Sequence, residues 1–116
     1  MGKKDCLFCK IIAGDIPSTV VYEDEHVLAI RDLNPVAATH VLILPRTHAD
    51  SLSDLEKLPD NELCALMRAV KKVADKEGLT GGYRLISNCG EHGGQTINHL
   101  HLHVIGGEQL PMKLLG

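Results

Sequence analysis

Tryptophan is absent from this chain, and one Phe and two Tyr are its whole aromatic complement. A core of large rings is thereby excluded. The buried interior must come from Leu, Ile, Val and Ala, the bulk of an apolar share of 44%. Long apolar runs are missing too: nothing approaches the roughly 18 consecutive apolar residues of a membrane span, so no membrane partner is expected. Clustered positive charge is scarce. The only basic pairs, Lys3-Lys4 and Lys71-Lys72, read as solvated surface, and the net charge is −3. A surface that coats nucleic acid needs grouped Lys and Arg, so no nucleic-acid partner is expected either. Met1-Gly2-Lys3-Lys4-Asp5 leads into no apolar stretch, which argues against a secretory signal. A myristoylation pattern wants Ser or Thr at position 6, where Cys6 stands. The expectation is a soluble cytoplasmic protein whose four cysteines are thiols or metal ligands rather than disulfides. Its 116 residues suit one compact domain spanning 1–116.

No repeat, low-complexity tract or linker interrupts the chain. Asp5 can cap a short helical turn through Cys6–Ile12, ended by Gly14 and Pro17. Val20–Tyr22 and His26–Arg31 read as a hairpin around the polar turn Glu23-Asp24-Glu25. A loop through Asn34-Pro35 leads to the apolar strand Val41–Leu44, closed by Pro45. Leu63, Leu66, Met67, Val70, Val73 and Ala74 recur at helical spacing, predicting a helix from near Asp60 to Gly78. Tyr83–Ser87 is a further strand, Gly90–Thr96 a glycine-rich loop, and His99–Ile105 the last strand. Strands joined by short connections, with one long and one short helix, indicate an α+β fold on an antiparallel sheet.

Three of the seven histidines fall at positions 99, 101 and 103, alternating with Leu100, Leu102 and Val104. On a strand this puts the imidazoles on one face and the apolar residues on the other. Such a face can be merely exposed, can ligate a metal, or can do chemistry. His99 and His103 would stand ~13 Å apart along a strand, so one ion does not readily take all three. An imidazole nitrogen can attack phosphorus and carry the group covalently, splitting a hard displacement into two easier ones. The central His101 is best placed for that. Glycines in Gly90–Thr96 would let backbone N–H groups approach phosphate oxygens, with Gln95 and Thr96 as neutral donors.

The run His99-Leu100-His101-Leu102-His103-Val104-Ile105, preceded by Gly93-Gly94-Gln95-Thr96, resembles the histidine-triad family, in its nucleotide-binding, Hint-like branch. The resemblance continues through 28–35, Thr39–Pro45 and His48, back to Phe8–Ile12 and forward to Gly106-Gly107, nearly the whole chain. It implies a five-stranded antiparallel sheet with two helices, in a homodimer. It implies a purine nucleotide (AMP-like) substrate, hydrolysed at its α-phosphorus, often a phosphoramidate, through a nucleotidyl-histidine on His101. His99, His101, His103, His40 and Thr96 form the implied catalytic set. Asp32 would bind the ribose hydroxyls with Leu33 beside it. Asn88, Gly94, Gln95 and Thr96 would line the phosphate site with His101 and His103, and Leu7, Phe8, Ile11, Ile16 and Leu42 the base pocket. The third histidine is kept and Leu100 is not Pro, which favours hydrolase over the transferase-like branch. No zinc-finger extension follows, and Pro111–Gly116 lacks the Trp-bearing tail of animal relatives. A binding module without turnover and a dinucleoside polyphosphate hydrolase are the alternatives.

Cys6 and Cys9 form C-x-x-C. A redox motif would follow a strand in a βαβ unit, and none precedes it. By local pattern two buried thiols are the plain reading, since a zinc site needs two more ligands and the spacing to any histidine is far from that of a zinc finger. By the resemblance, some microbial relatives bind zinc through this pair and two histidines, which match His48 and His99. That implies a structural zinc and leaves His101 free; no organic cofactor is expected. For Cys64 on the long helix and Cys89 beside the loop, core packing and chance suffice.

Overall fold

The structure, a computed structural model, describes residues 5–113. Lys3-Lys4 and the Leu114–Gly116 end of the tail lie outside the described residues. In chain order the elements are α1 (Leu7–Ile12), β1 (Val20–Glu23), β2 (Val27–Arg31), β3 (Thr39–Pro45), a 3-10 helix (Leu52–Lys57), α2 (Asp60–Lys76), β4 (Tyr83–Ile86) and β5 (Leu102–Gly106). The strands form one antiparallel sheet in the order β1-β2-β3-β5-β4. This is the α+β, five-stranded arrangement with one long and one short helix. No helix among the described residues is long and apolar enough to cross a membrane.

Alternation splits the interior in two. Val27, Ala29, Val41, Ile43, Leu102 and Val104 point to the face that α2 covers with Leu66, Ala69, Val70 and Val73. Each buried Val, Leu or Ile among these stabilises the fold by roughly 1.5–3 kcal/mol relative to exposure, the alanines by less. Leu28, Ile30, Leu42 and Leu44 point the other way and pack with Cys6 and Phe8 at α1. A buried Glu62 ties α2 to the chain beyond β3: its carboxylate accepts the Thr47 N–H at 2.7 Å and the Thr47 hydroxyl at 2.6 Å.

Several expected boundaries shift. Cys6, not Asp5, caps α1, its sulfur accepting the Cys9 N–H at 3.3 Å. The hairpin strands are Val20–Glu23 and Val27–Arg31, because Asp24 Oδ1 turns the chain by accepting the His26 and Val27 N–H groups. The 3-10 helix had no apolar period to announce it. Cys64 is exposed on α2, so core packing does not explain it.

The largest change concerns the last strand. Ladder pairing begins at Leu102, opposite Ile43, so His99 and His101 precede β5. The same register would set Leu100 against Pro45, which has no N–H to donate. The Leu100 N–H goes instead to the Ala49 carbonyl at 2.7 Å. Face alternation nonetheless survives, since Leu100 joins the core beneath α2 while His103 shares the opposite face with Leu42.

Candidate active site and metal cluster

The histidine face meets α1 rather than solvent. His99 and His101 are buried, and the Phe8 ring stands edge-on to both, at centroid distances of 6.0 and 5.1 Å. His101 Nδ1 lies 2.7 Å from the His99 carbonyl. A carbonyl only accepts, so Nδ1 carries the proton and Nε2 of the neutral ring is bare. The sequence asks this of a nucleophile, and the backbone two residues back supplies it.

His103 is held in the opposite tautomer. The Val36 N–H donates to His40 Nδ1 at 3.2 Å, so His40 carries its proton on Nε2. That nitrogen lies 2.8 Å from His103 Nδ1 and 3.3 Å from Asp32 Oδ2. With His103 Nδ1 accepting, its proton sits on Nε2, a buried atom without a protein partner. The three side chains could also gather round a cation, but the hydrogen-bonded chain accounts for each facing nitrogen without one. Burial, reinforced by the His101 and His40 rings and opposed by Asp32, lowers the His103 pKa to about 4, so it stays a neutral donor near pH 7. Burial likewise lowers His99 to about 4, against the contact from the Pro45 carbonyl.

These groups open on a cavity of about 430 Å³. Leu7, Phe8, Ile11, Ile30 and Leu42 supply its apolar wall; Asp32, His40, Thr96, His101 and His103 its polar one. The structure thus brings together most of the site residues expected from sequence. Ile16 is half-buried and outside that lining. Leu33 lines the mouth and is 91% exposed. Ile30, Arg31, Asn34, Val36 and Ile97 also line the cavity and were not anticipated. Of these, Ile30 was open to inference, since it alternates with Leu28 on the strand before Asp32.

The glycine loop is built differently from expectation. Gly93 N–H and Gln95 N–H both donate to the Gly90 carbonyl, at 3.2 and 3.0 Å, and Gly94 N–H donates to Glu91. These donors close the loop on itself. A Cβ at Gly93 would come 2.5 Å from the Cys89 carbonyl oxygen, and Gly94 sits at φ +81°, so both positions need glycine. The Gln95 carboxamide is also committed: Nε2 donates to the Asp50 and Ile97 carbonyls at 2.6 and 2.9 Å, and Oε1 accepts the Gly90 N–H at 2.9 Å. Gln95 braces the loop, and Thr96 is the loop residue that reaches the cavity wall. Asn88 is half-buried just upstream, followed by Cys89, whose sulfur lies 3.2 Å from Ser53 Oγ and 3.4 Å from Ser51 Oγ. Cys89 thus meets hydroxyls rather than apolar core, and those hydrogen bonds lower its thiol pKa.

Behind the triad, Cys6, Cys9, His48 and His99 each offer one ligand atom, all within 4.8 Å of one another. His48 Nδ1 is 3.3 Å from Cys9 Sγ; His99 Nδ1 is 3.4 and 3.5 Å from Cys6 and Cys9 Sγ. Both rings turn their other nitrogen outward, His48 Nε2 to Asp50 Oδ1 at 2.8 Å and His99 Nε2 to the Pro45 carbonyl at 2.9 Å. Outward Nε2–H groups leave two bare Nδ1 atoms facing two thiols, a donor set that fits zinc.

The HIT domain family model matches residues 13–110. A 14 kDa zinc-binding protein of Zea mays is 49% identical over 107 residues, covering 90% of this chain and 83% of its own. A purine nucleoside phosphoramidase of Escherichia coli is 40% identical over 108 residues, covering 92% and 91%. Among solved structures, a HIT family hydrolase from Clostridium thermocellum superposes with a TM-score of 0.86 at 44% identity, covering 97% of this chain and 98% of that one. With the triad, its fold and these matches agreeing along nearly its whole length, the chain belongs to the HIT, or histidine-triad, family.

Proposed function

We propose that this protein is a cytoplasmic nucleotide hydrolase that cleaves purine nucleoside phosphoramidates at the α-phosphorus through a covalent nucleotidyl-histidine on His101. The observation that carries the reading is the His101 ring in the cavity wall, its Nδ1–H committed to the His99 carbonyl at 2.7 Å. In the first step the Nε2 lone pair forms the N–P bond while the bond from phosphorus to the leaving nitrogen breaks, and that nitrogen departs as an amine with a proton from solvent. In the second step water attacks phosphorus, the N–P bond breaks with its electron pair returning to Nε2, and the nucleoside monophosphate leaves as a proton passes to solvent. Phosphoryl oxygens take the unpartnered His103 Nε2–H, with Thr96 at the cavity wall as a further donor. Asn88, Gly94 and Gln95 support the loop that carries Thr96. Asp32 takes the ribose hydroxyls, with Leu33 at the mouth, and Leu7, Phe8, Ile11 and Leu42 hold the base, with Ile16 beyond them. The named activity of the Escherichia coli relative supports this choice of substrate.

Zinc bound by Cys6, Cys9, His48 and His99 would tie α1 to the sheet; the zinc-binding relative supports the choice of metal. A homodimer is part of the same reading. The support is β4, an edge strand whose Tyr83, Leu85 and Ile86 are all exposed, a surface that pairing with a second copy would cover. Turnover of adenosine phosphoramidates and dinucleoside polyphosphates, compared at equal concentration, tests the function. Phosphoramidates are expected to be cleaved faster. Tight binding of both classes without turnover would establish a binding module instead.

A further inference from the structure

The three residues after Thr47 grip three different parts of the molecule. His48 belongs to the cysteine–histidine cluster. The Ala49 carbonyl accepts the Leu100 N–H at 2.7 Å, between His99 and His101 in the chain. Asp50 makes two contacts of its own: its carboxylate meets His48 Nε2 at 2.8 Å, and its carbonyl accepts Gln95 Nε2 at 2.6 Å. We infer that Asp50 is a positioning residue that couples the metal cluster to the nucleotide loop, holding the His48 ring for ligation on one side and the Gln95 brace on the other. This rests on the zinc reading of the cluster.

A carboxylate can only accept, so it fixes the His48 proton on Nε2 and leaves Nδ1 bare toward Cys9, 3.3 Å away. For His99 the same service comes from the Pro45 carbonyl inside the fold. The His48 partner is instead a side chain, 59% exposed, so the pair is worth little as an ion pair, and its value is orientation. Restraint then passes along the backbone of 48–50. With His48 anchored, the Asp50 carbonyl holds Gln95 in place. Gln95 in turn closes the loop onto Gly90 and Ile97. The His99 carbonyl forms a second link from cluster to site through His101 Nδ1.

The test uses full-length protein, wild type, Asp50→Ala and Asp50→Asn, with zinc affinity measured by chelator competition and folding checked by circular dichroism. Asp50→Ala should bind zinc roughly 10–100-fold more weakly. Asp50→Asn, whose side-chain oxygen still accepts from Nε2–H, should recover part of that loss. In wild type, zinc should slow amide hydrogen exchange across residues 90–96, and in Asp50→Ala at full occupancy it should slow it less. Equal zinc affinity in wild type and Asp50→Ala overturns the inference, as does loop exchange that ignores zinc. Wild type that takes up no zinc overturns the metal reading, and this inference with it.

Discussion

A neutral donor at His103 has a thermodynamic signature. Its pKa is near 4 in the folded protein, against about 6.5 for an unperturbed histidine, so between those values the unfolded chain binds more protons than the folded one. Stability therefore rises with pH through that window and is lost as pH falls from 6.5 toward 4. Because the ring is only partly buried, solvent screening reduces the loss at this one site to on the order of 1–2 kcal/mol. Urea unfolding of wild type and His103→Asn at several pH values checks this, with a shallower acid limb expected for the variant. At this scale the sequence was most informative where a motif names a residue: Asp32, His40, His101 and His103 all reach the cavity. It was least so for Gln95, whose partner is a backbone carbonyl 45 positions away, a contact that no side-chain pattern encodes.

Among the elements, α1 depends most on what holds it. It has six residues, too few for a stable isolated helix, and Phe8 is its one buried side chain. Two of the cluster's four ligands, Cys6 and Cys9, belong to its cap and first turn. Removing zinc with a chelator should therefore lower Tm, by on the order of 10 °C relative to protein at free zinc roughly a hundredfold above its Kd. Calorimetry before and after chelation, with zinc added back, measures it; an unchanged Tm contradicts a metal-braced α1. The glycine loop offers a second test. Gly93→Ala drives a methyl into the Cys89 carbonyl, so the loop must shift. Turnover should fall at least tenfold, while Tm drops only a few degrees because the loop lies outside both cores. Most elements were legible from apolar period, β3 and α2 above all. The start of β5 was not, because it is set by the missing N–H of Pro45 on another strand.

For the molecule as a whole, the sheet order leaves β4 on one edge with both faces uncovered. Tyr83 and Leu85 alternate with Arg84 and Ile86, yet three of the four are exposed apolar side chains. The sequence shows Tyr83–Ser87 as a strand but carries no signal for its exposure, and in the proposed homodimer a second copy would cover it. Light scattering at micromolar concentration should give twice the 12.6 kDa chain mass, and Leu85→Lys should shift the population toward monomer. A wild-type protein that scatters only as monomer contradicts the pairing of β4. The α+β class, by contrast, was readable from the alternation at 99–104 and the helical period of α2, since both bury their apolar side in one core, while the five-stranded arrangement came from the family resemblance.

His101 as the nucleophile is tested most directly by trapping. Wild type mixed with an adenosine phosphoramidate and quenched in alkali, where a phosphorus–imidazole bond lasts, should carry one adenylyl group on the peptide containing His101. His101→Ala should carry none, with kcat down by at least roughly a thousandfold and nucleotide affinity little changed, because Asp32 and the apolar wall remain. An adduct on another residue, or near wild-type turnover by His101→Ala, contradicts the assignment.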